Sequence, residues 1–294
     1  MNFIAFLAAL ATQVASPPQQ QPVIVTAPPP PGKDQSQAFV HDITQPSHGQ
    51  VARYHAPVCP LVVGLESNSA RVVRNRMIET VRGVGAEADA NPRCSANLVL
   101  VVTDNGRQFV QDLRRKLPDW LAGLGPVDIG TLIAEQTPAR AWSVVSVRNE
   151  DGLTAEMPGY IPKFRMSRGS PWSMGGRSDV PTMRVRTASI INQPTRADID
   201  GSVIVIDRSA AVGITLAQLA DYAAMRGLAR TAAPKDSGVR SILSLFDPGA
   251  ARQPELTRSD IIYLQALYRS DGRADVVKER GRLARAVQSD GRSN

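Results

Sequence analysis

The sequence predicts an α+β fold, and three observations lead there. Short β-branched runs alternate with amphipathic stretches from Val58 to Leu117. Two further strand patterns close the middle of the chain, and from Thr215 onward only helical patterns remain. The composition supports a sizeable core: 43% hydrophobic and 21% charged residues in a 294-residue chain is ordinary for a globular protein.

The first strand is expected at Val58 to Gly64 (VCPLVVG), a β-branched apolar run bounded by Pro57 and Gly64. A helix follows, with Ser69 as its cap, because Val73, Met77 and Val81 recur on one face before Gly83 and Gly85. A second strand covers Asn97 to Thr103 (NLVLVVT), and a second helix runs from about Phe109 to Leu117, stopped by Pro118. Trp142 to Arg148 alternates as a strand does, and Met183 to Ile191 and Ser202 to Ile206 (SVIVI) complete the set. Thr215 caps a helix whose inner face carries Leu216, Leu219 and Ala223. The end of the chain, residues 271–294, is a basic amphipathic tail with Val276, Leu283 and Val287 on one side.

Ahead of these elements, FIAFLAALA from Phe3 to Ala11 is apolar but too short to span a bilayer. Residues 1–16 have the outline of a secretory signal, although no basic residues precede the apolar run. A start codon placed too far downstream would leave the same appearance. Residues 17–50 read as a proline-rich, extended leader, so the folded part is expected to begin at about Val51 and to run to residue 270. Cys59 and Cys94 are an even pair in a chain expected to be exported, which predicts a disulfide and a periplasmic or secreted location.

Three blocks in the last third carry a resemblance. ADYAAMRGLAR, SILSLF and LTRSDIIYLQALY follow one another between Ala220 and Tyr268. Their order and spacing resemble the active-site helix, Met-turn and closing helix of the metzincin proteases, the matrixins especially. The chain is similar to a group of exported bacterial proteins of unknown function with this degenerate layout. The resemblance implies a zincin-like architecture, a twisted mixed sheet with packed helices. Aligned on Gly227, it puts Ala220, Ala224 and Arg230 at the three zinc-binding positions, Asp221 at the general-base position and Leu243 at the methionine of the turn. Zinc needs lone pairs from nitrogen, sulfur or oxygen. An alanine methyl has none, and a guanidinium does not release its proton at neutral pH. The layout therefore implies a non-catalytic, metal-free relative in which Gly227 alone keeps its role as the turn residue. Thr257, Asp260 and the inward row Ile261, Leu264 and Leu267 complete the closing helix.

Other chemistries find little support. The histidines are His41, His48 and His55, all ahead of the first expected strand, where they read as solvated loop residues. No GxSxG, Walker loop or dinucleotide fingerprint occurs. Asp221 could pair with Glu135 or Asp207 in a carboxylate hydrolase, could work with Tyr222 in metal-independent chemistry, or could be solvated or buried against an arginine. No cofactor is expected.

A net charge of +7 favours anionic partners. Lys163, Arg165, Arg168, Arg177, Arg184 and Arg186, with Phe164 and Trp172 among them, form the candidate binding surface. An unknown protein, a peptide or an anionic envelope component is the expected partner, and nucleic acid is disfavoured by the 5% aromatic content. In metzincins an edge strand pairs with extended peptide, which Met183 to Ile191 or Ser202 to Ile206 could retain. A purely structural envelope component is the remaining alternative.

Overall fold

Four strands form one mixed sheet: β1 (Pro60–Val63), β2 (Leu98–Thr103), β3 (Ala139–Asn149) and β4 (Thr195–Asp207). The computed structural model describes residues 30–154, 193–235 and 237–289. In space the strands run β1-β2-β4-β3; the first three are parallel, and β3 lies antiparallel on β4 as an outer strand. Leu98 stands opposite Ser202 across β2 and β4, and Ala139 stands opposite Ile206 across β3 and β4. A bulge at Val144/Val145 shifts the second register.

Among the described residues seven α-helices cover the sheet: α1 (Lys33–Ile43), α2 (Ser67–Gly83), α3 (Gly106–Lys116), α4 (Pro126–Ala134), α5 (Leu216–Leu228), α6 (Arg258–Tyr268) and α7 (Val276–Ser289). Side chains alternate across a strand, so each strand feeds two cores. Leu98, Leu100 and Val102 of β2, with Ile204 and Ile206 of β4, join α1, α2, α5, α6 and α7 in the larger core. Val99, Val101, Val203, Val205 and Trp142 face the other way, against Val110 and Leu113 of α3 and the half-buried Ile129, Leu132 and Ile133 of α4. Burial on both faces explains why β2 and β4 read as continuous apolar runs.

The helix starts follow local capping chemistry. Thr215 and Gln218 cap α5 reciprocally, as do Thr257 and Asp260 at α6. For α2 the expected cap, Ser69, is inside the helix; the Glu66 carboxylate accepts the Asn68 and Ser69 amides instead. Asn105 accepts the Gln108 amide at 2.9 Å, which starts α3 three residues ahead of the expected Phe109. In α6, Leu264 and Leu267 are buried as expected, but Ile261 is 37% exposed and does not join the inward row.

The leader differs most from expectation. Residues 33–43 form a helix whose Phe39, Val40 and Ile43 are fully buried, so the folded part begins well before residue 51. Its apolar residues are few, but α1 packs against α7, and the two ends of the described chain close on each other. The tail helix α7 is correspondingly part of the core, with Leu283 and Val287 buried. Of the expected strands, Met183 to Ile191 lies outside the described residues, and Ser202 to Ile206 is the second half of the longer β4.

Cys59 and Cys94 form the expected disulfide, with Cα atoms 6.1 Å apart. It pins the approach to β2 onto the start of β1. Asn97 Oδ1 accepts the Cys59 amide at 2.7 Å, and Arg74 of α2 donates to the carbonyls of Pro60 and Asn91. Among the described residues no helix is long and apolar enough to cross a membrane. Replacing both cysteines with serine should lower the unfolding free energy by about 3–4 kcal/mol, read from urea midpoints of the oxidised parent and the variant.

Candidate functional site

The α5 helix meets the sheet at very close range. A Cβ on Gly227 would lie 2.2 Å from Leu98 Cδ1 and 3.1 Å from Ile204 Cδ1, so any side chain there would force Leu98 to shift. Ser202 Oγ donates to the Gly227 carbonyl at 2.8 Å and exchanges a further hydrogen bond with Ser143 Oγ of β3. Gly227 lies inside the helix, which continues to Leu228, and has no positive φ. It is therefore a close-packing glycine and not the turn residue that the resemblance implies.

Residues three, four and seven positions before Gly227 share its helical face. These are Ala224, Ala223 and Ala220, each with no exposed surface and all within the larger core. Positions 220 and 224 thus point into packed hydrocarbon. Arg230 lies in a turn past the end of the helix, after the extended Ala229; its carbonyl accepts the Gln45 amide. The described residues bring no imidazole to these three positions, and no group of three or more His, Cys, Asp or Glu converges anywhere among them.

Asp221 has a structural occupation. Its carboxylate is fully buried and accepts Arg76 Nε and Nη2 from α2, each at 2.9 Å. The Leu256 amide donates at 3.0 Å and Thr80 Oγ1 at 3.5 Å. One carboxylate thereby joins α2, α5 and the approach to α6. The bidentate contact with Asp221 also holds the Arg76 guanidinium above its usual range. Of the readings open in the sequence, the buried carboxylate satisfied by an arginine is the one observed. The other acids considered with it are engaged separately: Asp207 accepts the Gly106 amide at 2.6 Å, and Glu135 accepts the Thr137 amide at 3.3 Å.

Leu243 is buried in a 3-10 turn over Ile242–Phe246, and a second interior carboxylate supports that turn. Asp260 accepts Ser241 Oγ at 2.6 Å, the Ile242 amide at 2.9 Å and both donors of Thr257. Burial raises its carboxyl above the usual range, against the pull of these donors.

The outer side of β3 is an unpaired sheet edge among the described residues. From Arg140 to Val147 no described strand pairs with that side; the nearest pairing is the isolated bridge from Arg148 to Thr154. On one face of the sheet α4 is tied to β3, because Arg140 donates to the carbonyls of Leu132 and Glu135. On the other face lies α5, with Tyr222 stacked edge-on against Phe246 at 4.8 Å. Arg226 places its guanidinium 6.0 Å from the Tyr222 ring, and its Nε is buried without a hydrogen-bond partner. Burial raises the Tyr222 phenol, opposed by Arg226, and Glu135 at the end of α4 also acts on it. Burial lowers the Arg230 guanidinium, opposed by Asp128 of α4.

His55 is not the solvated loop residue expected from sequence. Its side chain is 16% exposed, and Nδ1 sits 2.8 Å from Asp198 Oδ1 on β4, although the N–H is not aimed at that oxygen. Arg53 Nε donates to His55 Nε2 at 3.2 Å, and Arg53 Nη1 closes the end of α6 by donating to the Leu267 carbonyl. Arg196 and Arg148 also reach Asp198, at 2.9 and 3.4 Å. Burial works to raise the Asp198 carboxyl, but the His55 and Arg196 contacts outweigh it and hold it below its usual range. His41 and His48 do not join this cluster: His41 pairs with its neighbour Asp42 at 3.6 Å, and His48 occupies a tight turn with a positive φ.

The candidate binding surface of Lys163, Phe164, Arg165, Arg168, Trp172, Arg177, Arg184 and Arg186 lies outside the described residues. Sequence reasoning missed Arg226 and the Arg53–His55–Asp198 cluster. The spacing of Tyr222 and Arg226, four residues apart on one helix, was the available signal for the first; the second joins residues more than a hundred positions apart. No protein-family model, curated protein or solved structure matches this chain.

Three outcomes are expected from this geometry. Gly227→Ala should cost about 1–3 kcal/mol, measured by urea unfolding, because Leu98 and Ile204 must shift inside a filled core. Arg76→Ala should cost about 2–3 kcal/mol, less than a fully buried pair because the guanidinium is partly solvated. Asp198 is a depressed carboxyl, so its contribution is present above the unfolded carboxyl range and is lost as pH falls through the folded value. Stability should therefore drop below about pH 4, and Asp198→Asn should flatten that acid limb in unfolding curves recorded from pH 2 to 7.

Proposed function

We propose that this chain is a non-catalytic, exported, zincin-like domain that binds an extended peptide along the outer edge of β3. The observation carrying the non-catalytic half is the Gly227 contact. It places Ala220 and Ala224 against the sheet and leaves the neighbouring Asp221 carboxylate spent on Arg76 and the Leu256 amide. A group so enclosed has no free lone pair to polarise water or take a substrate proton. The buried Tyr222 phenol, raised by its surroundings, is equally unsuited to act as a base beside Asp221.

The zincin-like part of the proposal draws support from the strand order, with an antiparallel outer strand, and from the sequence of α5, the turn over Ile242–Phe246 and α6. Export draws support from the disulfide and from the apolar opening of the chain. The peptide-binding strand expected at Ser202 to Ile206 is corrected here: β4 is hydrogen-bonded on both sides, by β2 and by β3, and has no edge to offer. Among the described residues the unpaired sides belong to β1 and β3, and the 11-residue β3 offers an added strand a longer ladder than the 4-residue β1. The anionic envelope component remains the partner that the basic segment from residue 160 to 186 would suit.

Two measurements test this reading. After equilibrium dialysis against zinc, elemental analysis should find well under one ion per chain; stoichiometric zinc held by α5 would overturn it. A degenerate mixture of extended decapeptides should protect the amides between Arg140 and Val147 from hydrogen exchange. Proline at Val145 or at Ser146, neighbours whose amides point to opposite sides, should abolish that protection in the variant that loses the outward donor. Protection at β1 and none at β3 would refute the assignment of the edge.

A further inference from the structure

We infer that His55 is a proton-operated latch on the end of α6. While neutral it accepts Arg53 at Nε2; on taking a proton there it expels Arg53 and frees the carbonyl that Arg53 holds.

The geometry assigns a role to each ring nitrogen. Arg53 Nε can only donate, and it lies 3.2 Å from His55 Nε2, so that nitrogen must offer a lone pair. A neutral ring then carries its proton on Nδ1, which sits 2.8 Å from Asp198 Oδ1. The same guanidinium donates through Nη1 to the Leu267 carbonyl at 2.7 Å, one residue before α6 ends. That carbonyl also accepts the Ser270 amide at 3.2 Å, where the turn towards α7 begins. Gly272 of this turn lies against the contact: a Cβ there would be 3.2 Å from His55 Nε2 and 3.4 Å from Arg53 Nε. A proton arriving on Nε2 turns the acceptor into a donor, so two cationic donors face each other in a closed space.

The charges around the ring divide between the two states. Asp198 of β4 faces Nδ1 in both, and is itself held by Arg196 and, from β3, by Arg148. Asp271 of the turn and Glu279 and Arg282 of α7 act on Arg53, while burial raises the Tyr268 phenol, which donates to the Leu228 carbonyl. Protonated His55 therefore keeps Asp198 and gives up Arg53 alone. The Arg53 backbone stays paired with Ala197 and Ile199 of β4, so the movement is confined to its side chain. What is lost is a donor at the last turn of α6, where carbonyls lack partners within the helix. The next helix, α7, packs on both α6 and α1, so acid acts at the corner that joins the two ends of the described chain.

The test is hydrogen exchange on the full chain at about pH 7.5 and about pH 5.5, on either side of the ordinary imidazole range, corrected for the intrinsic pH dependence of exchange. Asp198, held below the usual carboxyl range, stays ionised at both. The amides of Arg269 and Ser270 should lose at least about tenfold in protection at the lower pH, the scale of one charged hydrogen bond, while β2 keeps its protection. His55→Gln, whose amide oxygen can accept Arg53 and takes up no proton, should show equal protection at the two pH values. His48→Asn removes the imidazole beside the Gly49 carbonyl that accepts the Val276 amide, and should respond as the parent does. Unchanged protection in the parent, a loss that persists in His55→Gln or vanishes in His48→Asn, or a loss that extends to β2 overturns the inference. Nitrogen NMR spectra of the parent give an answer that needs no variant: at the higher pH the inference requires a proton on Nδ1 of His55, and a neutral ring protonated on Nε2 overturns it.

Discussion

The contact between α5 and the sheet decides most of what this chain can do. Gly227 has no side chain, and the three alanines on its face have the smallest ones, so the helix sits directly on Leu98 and Ile204. Larger residues on that face would push the helix away, and the second face of β2 and β4 would lose its cover. Interior packing at crystal-like density leaves no slack for such a change. The alanines at 220 and 224 are therefore more than missing ligands. They are the small residues that the close approach requires, and a metal there would need room that the core does not have.

Two interior carboxylates do the work of joining elements that hydrophobic contact alone would leave free to slide. Asp221 ties α2, α5 and the approach to α6 through a bidentate arginine and an amide. Asp260 holds the turn over Ile242–Phe246 to the start of α6 through four donors. Buried charges are tolerated only when their lone pairs are satisfied, and here they are. The Arg53–His55–Asp198 cluster links β4 to the end of α6 in the same way, and the disulfide secures the opposite side of the sheet. Among the described residues the pattern is incomplete at a few nitrogens: His55 Nδ1, Arg140 Nη1, Arg226 Nε, Arg280 Nε and Arg282 Nε are buried without a hydrogen-bond partner.

Much of the fold was legible in the sequence because it rests on local chemistry. The caps at Thr215 and Thr257, the continuous apolar runs of β2 and β4, and the cysteine pair are each visible in a few residues. The helix of residues 33–43 was not, because its Phe39, Val40 and Ile43 are too few to mark an amphipathic face. It is held by α7, at the other end of the chain. The α4 helix was missed as well; it buries no residue fully and depends on Arg140 of β3 to satisfy its last carbonyls. The role of Gly227 was read as a turn because the motif suggested one, whereas packing against β2 and β4 is what the position serves.

By itself the sequence determined which side chains are available: no donor nitrogen in the α5 motif, three histidines all before Val58, one cysteine pair, and a surplus of cations. Residue identity settles what a group can donate or accept, and no folding changes that. Only the tertiary structure decided which of these groups meet. Asp221 finds Arg76 and His55 finds Asp198 across separations of more than a hundred residues, and β4 turns out to be an inner strand with β3 outside it. Contacts between distant segments depend on strand order and helix packing, which no local pattern encodes.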